Sequence, residues 1–281
     1  MAIGEVAGAL AALGSAASTL IQRQVLRQDR ASHLSYAVLY NFGGALVLLP
    51  FLYYYPPVPT NPAGWLYAGI ATALWAVIGV LGFFNAKKVE APKLIVLKRF
   101  KVVAIAAMSV LFLGEVLSPQ KLGAFLLIIA SALLLTYEGK KLKLDRQSLL
   151  VLFTAFLTAG VMIADKAALQ YFPLPAYAFI VFLVPGLLVF GYAKTSFNAH
   201  LTNLAGLKKW VAADVLVDAV TYLLILFALQ NMSATSVVLL QELSLPIVAI
   251  GGIVLLKEKR DLKKVAAAVA LALAGSVLLV L

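Results

Sequence analysis

The feature that most constrains this chain is the recurrence of apolar runs about as long as a bilayer is thick. Crossing a hydrocarbon core of roughly 30 Å as a helix takes about 20 mostly apolar residues. The sequence offers ten such runs, at 5–23, 34–55, 64–85, 92–113, 121–138, 148–169, 174–193, 210–229, 233–256 and 262–281. Breakers mark the joints: Pro56, Pro57, Pro59 and Pro62 between the second and third runs, Ser118 and Pro119 ahead of the fifth, Pro173 and Pro175 between the sixth and seventh. In lipid every backbone N–H and C=O must be satisfied internally, which leaves helix or closed barrel, and the period-two alternation of a barrel is missing. Composition agrees, with 63% hydrophobic and 12% charged residues and a mean hydropathy of +0.99, far from the balance of a soluble domain. Small residues such as Ala11, Ala12, Gly14 and Ser15 resemble a leader cleavage region, but Glu5 stands where a leader needs basic residues. The first run therefore reads as a span.

The runs repeat. Residues 96–115 (VLKRFKVVAIAAMSVLFLGE) align with 239–258 (LLQELSLPIVAIGGIVLLKE) at a shift of 143, the separation of Glu115 from Glu258. The same shift carries Gly43 onto Gly186, Phe84 onto Phe227, Ala91 onto Ala234, and Ile21, Gln22 and Arg23 onto Ala164, Asp165 and Lys166. Two five-helix units follow, 1–143 and 144–281. An odd number of spans per unit inserts the two copies with opposite orientation. The expected fold class is an all-α membrane protein of ten transmembrane helices built as two inverted five-helix repeats, an arrangement that places a substrate site between the halves near the midplane.

The net charge of +11 would point a soluble protein toward nucleic acid. Here the basic residues sit in short loops, among them Arg27, Arg30, Lys87, Lys88, Lys140, Lys141, Lys208, Lys209, Lys257 and Arg260, all following odd-numbered spans. Near the ends of even-numbered spans stand only Lys121 and Lys166. The bias of Lys and Arg toward cytoplasmic loops predicts a multi-pass protein of the cell's inner membrane, with these loops in the cytoplasm and both termini outside. The bilayer is thus a partner, and nucleic acid is not.

The segments FLGEVLSPQKLGAFLLIIASALLL (112–135) and LLKEKRDLKKVAAAVALALAGSVLLVL (255–281) resemble the EamA-type repeat of the drug/metabolite transporter superfamily. The shared pattern is a helix ending in Glu (Glu115, Glu258), a short polar turn, then a helix rich in small residues (Gly123, Ala130, Ser131, Gly275). The resemblance covers the whole chain and implies a ten-helix transporter; relatives usually keep both termini in the cytoplasm, the reverse of what these loop charges predict. A second likeness lies in Leu97, Lys98, Arg99 and Phe100, which look like the basic pair of triose-phosphate and nucleotide-sugar translocators, where it binds phosphate; here it stands in the first copy.

Ionised side chains inside a span cost about 2.5 to 3.5 kcal/mol each on insertion scales, so they line a polar cavity or pair with one another. The fourth span carries Lys98, Arg99 and Lys101, the eighth Asp214 and Asp218, the ninth Glu242. The repeat places Arg99 opposite Glu242 and Lys98 opposite Gln241. Read functionally, Lys98 and Arg99 bind an anionic group, Arg in bidentate geometry, while Glu242 holds an amino group or a coupling proton. Read structurally, the same residues form a salt bridge. Asp214, Asp218 and Tyr222 share one helical face: Asp218, near mid-span, is a candidate for proton coupling, whereas Asp214, close to Lys208 and Lys209, reads as a solvated carboxylate. Lys101 is expected to snorkel or to pair with Asp218. Tyr40, Asn41, Trp75 and Tyr222 complete the candidate pocket. Tyr53, Tyr54, Tyr55, Trp65, Tyr67 and Trp210 fall at span ends, where aromatic belts form. Gly43, Gly44, Gly251 and Gly252 are expected to allow close helix contact.

With no cysteine, no histidine inside a span, no HExxH, no nucleophile elbow and no phosphate-binding Gly-Lys-Ser/Thr loop, no catalytic residue, metal site or cofactor is expected. The sequence thus predicts a secondary transporter, exporter or exchanger, of a small metabolite such as an amino acid or organic anion, with protons as candidate coupling ion. A flippase for a lipid-linked phosphate carrier and a drug efflux protein are the alternatives. Because one chain already carries both halves, a monomer or weak homodimer is expected.

Overall fold

The computed structural model describes residues 3–28, 31–53, 61–88, 97–98, 100–136, 145–254 and 262–280. The described helices are α1 (Ile3–Leu26), α2 (His33–Leu48, continued by a 3-10 turn over Leu49–Tyr53), α3 (Pro62–Lys88), α4 (Phe100–Leu113), α5 (Pro119–Thr136) and α6 (Arg146–Ala168). They continue with α7 (Leu174–Ala193), α8 (Phe197–Asn203), α9 (Lys208–Asn231), α10 (Ala234–Gln241), α11 (Ser244–Val254) and α12 (Leu262–Val280). No strand occurs among the described residues.

Local chemistry sets the boundaries. Pro62 and Pro119 occupy first helical positions, where the missing N–H is no loss. Asp145 caps α6 in a reciprocal box with Ser148, and the Ser32, Ser196 and Ser233 hydroxyls cap α2, α8 and α10.

Among the described residues, six helices are long and apolar enough to cross a membrane: α1, α2 with its 3-10 turn, α3, α6, α7 and α9. The remaining expected spans appear as shorter apolar pieces, among them α4 and the stretches Pro119–Ser131 and Ala266–Gly275. The continuous ninth span expected at 233–256 is instead two helices, α10 and α11, separated by a turn at Glu242 and Leu243. Pro246 accounts for the break: it brings no N–H for the carbonyl one turn earlier, at residue 242. Nor did the sequence reading anticipate α8, a short capped helix against α2.

Helix packing follows the repeat. By the 143-residue shift, α1, α2 and α3 correspond to α6, α7 and α9, and α4 to α11. The most extensive contacts join one copy to the other, and each has its counterpart: α1 with α9 and α3 with α6, α4 with α6 and α1 with α11. The pairs α2 with α7 and α5 with α12 join equivalent helices, and α4 also meets α10. Helices of each repeat thus pack chiefly on helices of the other, so the two repeats interdigitate.

Leu10, Leu46, Ile70, Phe153, Leu187 and Leu216 face outward, as lipid permits, while small residues such as Ala11, Ala12 and Ala16 fill the helix contacts. A methyl added to Gly14 on α1 would sit 2.0 Å from Thr221 Oγ1 on α9. Gly43, Gly44 and Gly251 are equally close-packed, with an added Cβ meeting Val215 at 2.9 Å, Phe182 at 2.3 Å and Leu20 at 2.4 Å. Tyr53, Trp65 and Trp210 are exposed at helix ends as an aromatic belt requires; Tyr54 and Tyr55 lie outside the described residues.

Candidate functional site

At the centre of the interdigitated helices lies a cavity of about 300 Å³. Helix periodicity explains its walls. Ser15, Ser18, Thr19 and Gln22 fall at i, i+3, i+4 and i+7 and form a polar stripe on α1; Trp75, Gly79, Gly82 and Phe83 line the facing side of α3. Tyr40 and Asn41 of α2, Phe182 of α7, and Asp218 and Tyr222 of α9 complete it, together with Lys98. The aromatic rings brace one another: Tyr222 stands edge-on to Trp75 and to Phe182, with centroids 5.9 and 5.7 Å apart.

The carboxylates are held by tyrosines. Tyr36 and Tyr40, one turn apart on α2, meet Asp214 and Asp218, one turn apart on α9. The Tyr36 hydroxyl donates to Asp214 Oδ2 at 2.5 Å, and the Tyr40 hydroxyl donates to Asp218 Oδ2. Gln22 Nε2 adds a 3.2 Å bond to Asp214 Oδ2 and a 2.9 Å bond to Ser18. Asp214 is 0% exposed, which overturns its reading as a solvated carboxylate: it lies on the α2-facing side of α9, and Lys208 and Lys209 do not bring water to it. Asp218 is partly exposed, and it is the cavity it lines that exposes it.

A third carboxylate, Asp165 near the end of α6, is also 0% exposed. Tyr177 of α7 donates to its Oδ1 at 2.6 Å and Tyr222 to its Oδ2 at 2.9 Å. Sequence reasoning used Asp165 only to register the repeat. Two signals pointed to it, a carboxylate within an apolar run and its equivalence to Gln22, itself a member of the α1 polar stripe.

The other expected site residues divide. Lys98, Tyr40, Asn41, Trp75, Asp218 and Tyr222 converge on the cavity. Asn41 also bonds the Ala37 carbonyl at 2.8 Å within its own helix, and the Trp75 indole nitrogen is buried without a hydrogen bond. Gln241 and Glu242 are 9% and 1% exposed and stand outside the lining. Glu242 lies 3.5 Å from Lys101 Nζ. Lys101 therefore pairs with Glu242, not with Asp218, because α4 packs against α10 while Asp218 is engaged by Tyr40 from α2. Arg99 lies outside the described residues.

Beyond Asp165 the helices are tied by Glu115, in the link after α4. Its Oε1 accepts from Ala234 N at 2.6 Å and Lys166 Nζ at 3.3 Å; its Oε2 accepts from Thr235 N at 3.3 Å and Thr235 Oγ1 at 3.0 Å. Lys166 also donates to the Met232 carbonyl at 2.7 Å. Burial of Glu115 opposes its ionisation, but these donors outweigh burial and hold the carboxyl below its ordinary value. A carboxylate on the positive end of α10 is favourable by geometry and by charge. The first-copy Glu of the repeat pattern thus fastens its own copy to the second.

The sequence model of the EamA-like transporter family matches residues 2–137 and 146–281, one match per repeat. No curated protein matches the chain. A solved crystal structure of a protein superposes on 99% of this chain and 98% of its own length, with a TM-score of 0.71 and 16% identity. At that identity the likeness is one of fold.

Proposed function

Because the chain belongs to the EamA-like transporter family, a family of membrane transporters of small molecules, we propose that it is a secondary transporter that moves a small amphipathic metabolite, an amino acid in first place, by alternating access around the central cavity. The observation that carries the reading is the pairing, within one cavity between the repeats, of an acid (Asp218) and a base (Lys98) with an aromatic wall (Trp75, Phe83, Phe182, Tyr222). An amino acid presents the complementary set: an ammonium for Asp218, a carboxylate for Lys98 and an apolar side chain for the rings.

Alternating access needs a packing that two states can share. Reciprocal contacts between the copies supply it, since exchanging the roles of the two repeats exchanges which end of the cavity is closed. Lys87 and Lys88 stand at the end of α3, so the charge bias assigns that end to the cytoplasm, with both termini on the other side. The same cavity favours a second reading, efflux of organic cations, because rings around a carboxylate suit a cation.

The test is thermal stabilisation of the purified protein by amino acids, organic anions and lipophilic cations, on wild type, Lys98→Ala and Asp218→Asn. Stabilisation of wild type by an amino acid, lost in both variants, supports the first reading. Stabilisation by cations that survives Lys98→Ala moves efflux ahead, and failure of all three classes overturns both.

A further inference from the structure

Among the described residues Asp165, like Asp214, neither lines the cavity nor faces a base; of the two, Asp165 is the one held by a tyrosine of the cavity wall, Tyr222. Tyr177 on α7 and Tyr222 on α9 each donate to one of its oxygens. From α3 its neighbour is the uncharged indole of Trp75, edge-on to Tyr222. On α4 and α10 the acid and base, Glu242 and Lys101, face each other. The adjacent Lys166 is turned to Glu115 and the Met232 carbonyl. Among the described residues, then, no cation lies within salt-bridge distance of Asp165. Ionising a carboxyl placed so deep without a counter-ion is costly, and two phenol donors offset that cost in part.

Tyr222 belongs to both sites. Its hydroxyl donates to Asp165, its ring lines the cavity, and Asp218 stands one turn before it on the same face of α9. Resting on the transport reading, we propose that Asp165 is a proton-binding site of the transport cycle, coupled to the cavity through the Tyr222 hydroxyl. With Asp165 ionised, the Tyr222 O–H is held by Oδ2. When Oδ2 takes a proton from hydronium, one O–H bond forms at the carboxyl and one breaks in hydronium, leaving water. The new carboxyl O–H then donates to the Tyr222 oxygen, and the phenol O–H is released toward the cavity, where a substrate carboxylate accepts it. Proton and substrate anionic group favour each other's binding, and the linkage is reciprocal. The two therefore occupy the protein together and travel in the same direction.

Two measurements test this. The first needs no substrate: infrared difference spectra, acid minus alkaline, of the protein in liposomes. Wild type gives a carboxyl C=O band that Asp165→Asn loses and Asp218→Asn retains; Tyr222→Phe retains it at a shifted frequency. A spectrum of Asp165→Asn identical to wild type overturns the proposal, and Tyr222→Phe, which leaves the carboxylate in place, decides the matter if Asp165→Asn does not fold. The second uses proteoliposomes containing a pH-sensitive dye and an equimolar mixture of the proteinogenic amino acids. Wild type moves protons inward with amino acids; Asp165→Asn loses the proton movement yet keeps amino-acid exchange, and Tyr222→Phe loses the proton movement. Proton movement undiminished in both variants overturns the coupling. If wild type moves no amino acid, that transport reading fails by itself, and the infrared spectra still decide whether Asp165 binds a proton.

Discussion

Removing Glu115 should unfasten α10 from α4 and α6, and the size of the effect follows from its partners. Its two oxygens receive two backbone N–H groups, one hydroxyl and one ammonium. A helix N-terminal cap contributes typically about 1 kcal/mol, and breaking a buried ion pair by removing one partner costs about 3 to 5 kcal/mol. The Glu115 side chain is 8% exposed but Lys166 is 23% exposed, so water partly recovers the stranded ammonium and the low end, about 3 kcal/mol, is expected for Glu115→Ala. Glu115→Gln keeps an acceptor for Ala234 and loses the charge, for roughly half that cost. The assay is reversible unfolding in mixed micelles, repeated as a function of pH. Because the folded-state value of Glu115 lies below its ordinary 4.5, its contribution is present above that value and is lost as pH falls through the lower folded value. Wild type should therefore converge on Glu115→Ala in acid. An alanine variant within about 0.5 kcal/mol of wild type at neutral pH would refute the reasoning, as would a difference that does not shrink on acidification.

Four other single substitutions probe the centre. Lys101→Met removes a base from a carboxylate that is 1% exposed and should cost about 3 kcal/mol, most of it recovered in Lys101→Met with Glu242→Leu; a double variant as damaged as the sum of the singles removes the pair from consideration. Gly44→Ala puts a methyl 2.3 Å from the Phe182 ring, so a cost of about 1 to 3 kcal/mol and weakened ligand stabilisation are expected, and wild-type behaviour in both would mean that α2 and α7 separate freely. Tyr36→Phe leaves Asp214 with Gln22 as its remaining protein donor in reach of Oδ2 and should lower stability by about 1 to 3 kcal/mol. Tyr40→Phe should act on ligand stabilisation instead, because Asp218 faces the cavity; equal loss of stability in the two variants would contradict that division.

What the sequence made legible was whatever depends on period and composition. Apolar runs announced the membrane, and the 143-residue shift announced the two repeats. Asp218 and Tyr222 were placed on one face from their spacing alone. The stripe Ser15, Ser18, Thr19 and Gln22 was equally readable, but hydroxyls and an amide are tolerated in any helix and drew no attention. Three-dimensional pairing was not readable. Tyr36 and Tyr177 look like ordinary aromatics until α2 and α7 turn them toward Asp214 and Asp165, and the partner of Glu242 depended on which turn of α4 faces α10. The break at residue 242 was signalled by Pro246, two residues inside the next helix, and was passed over because the surrounding hydropathy is continuous.

The repeats share a fold but not a charge. Where the second copy has Asp165, Asp218 and Tyr222, the first has Gln22, Trp75 and Gly79; where the first has Lys98 and Lys101, the second has Gln241 and Ser244. Basic side chains thus enter the centre from one half and acids from the other. Lys101 meeting Glu242 is one product of that division, and the cavity framed by Lys98 and Asp218 is the other. A symmetric pair of halves would offer a substrate the same group twice. Two halves of opposite charge offer an asymmetric substrate two different anchors, one on each moving body. On the transport reading proposed above, a zwitterion bridging Lys98 and Asp218 would draw the repeats together across the cavity, whereas an ion of one sign would engage a single half, and the split of charge between the copies would favour a ligand that carries both.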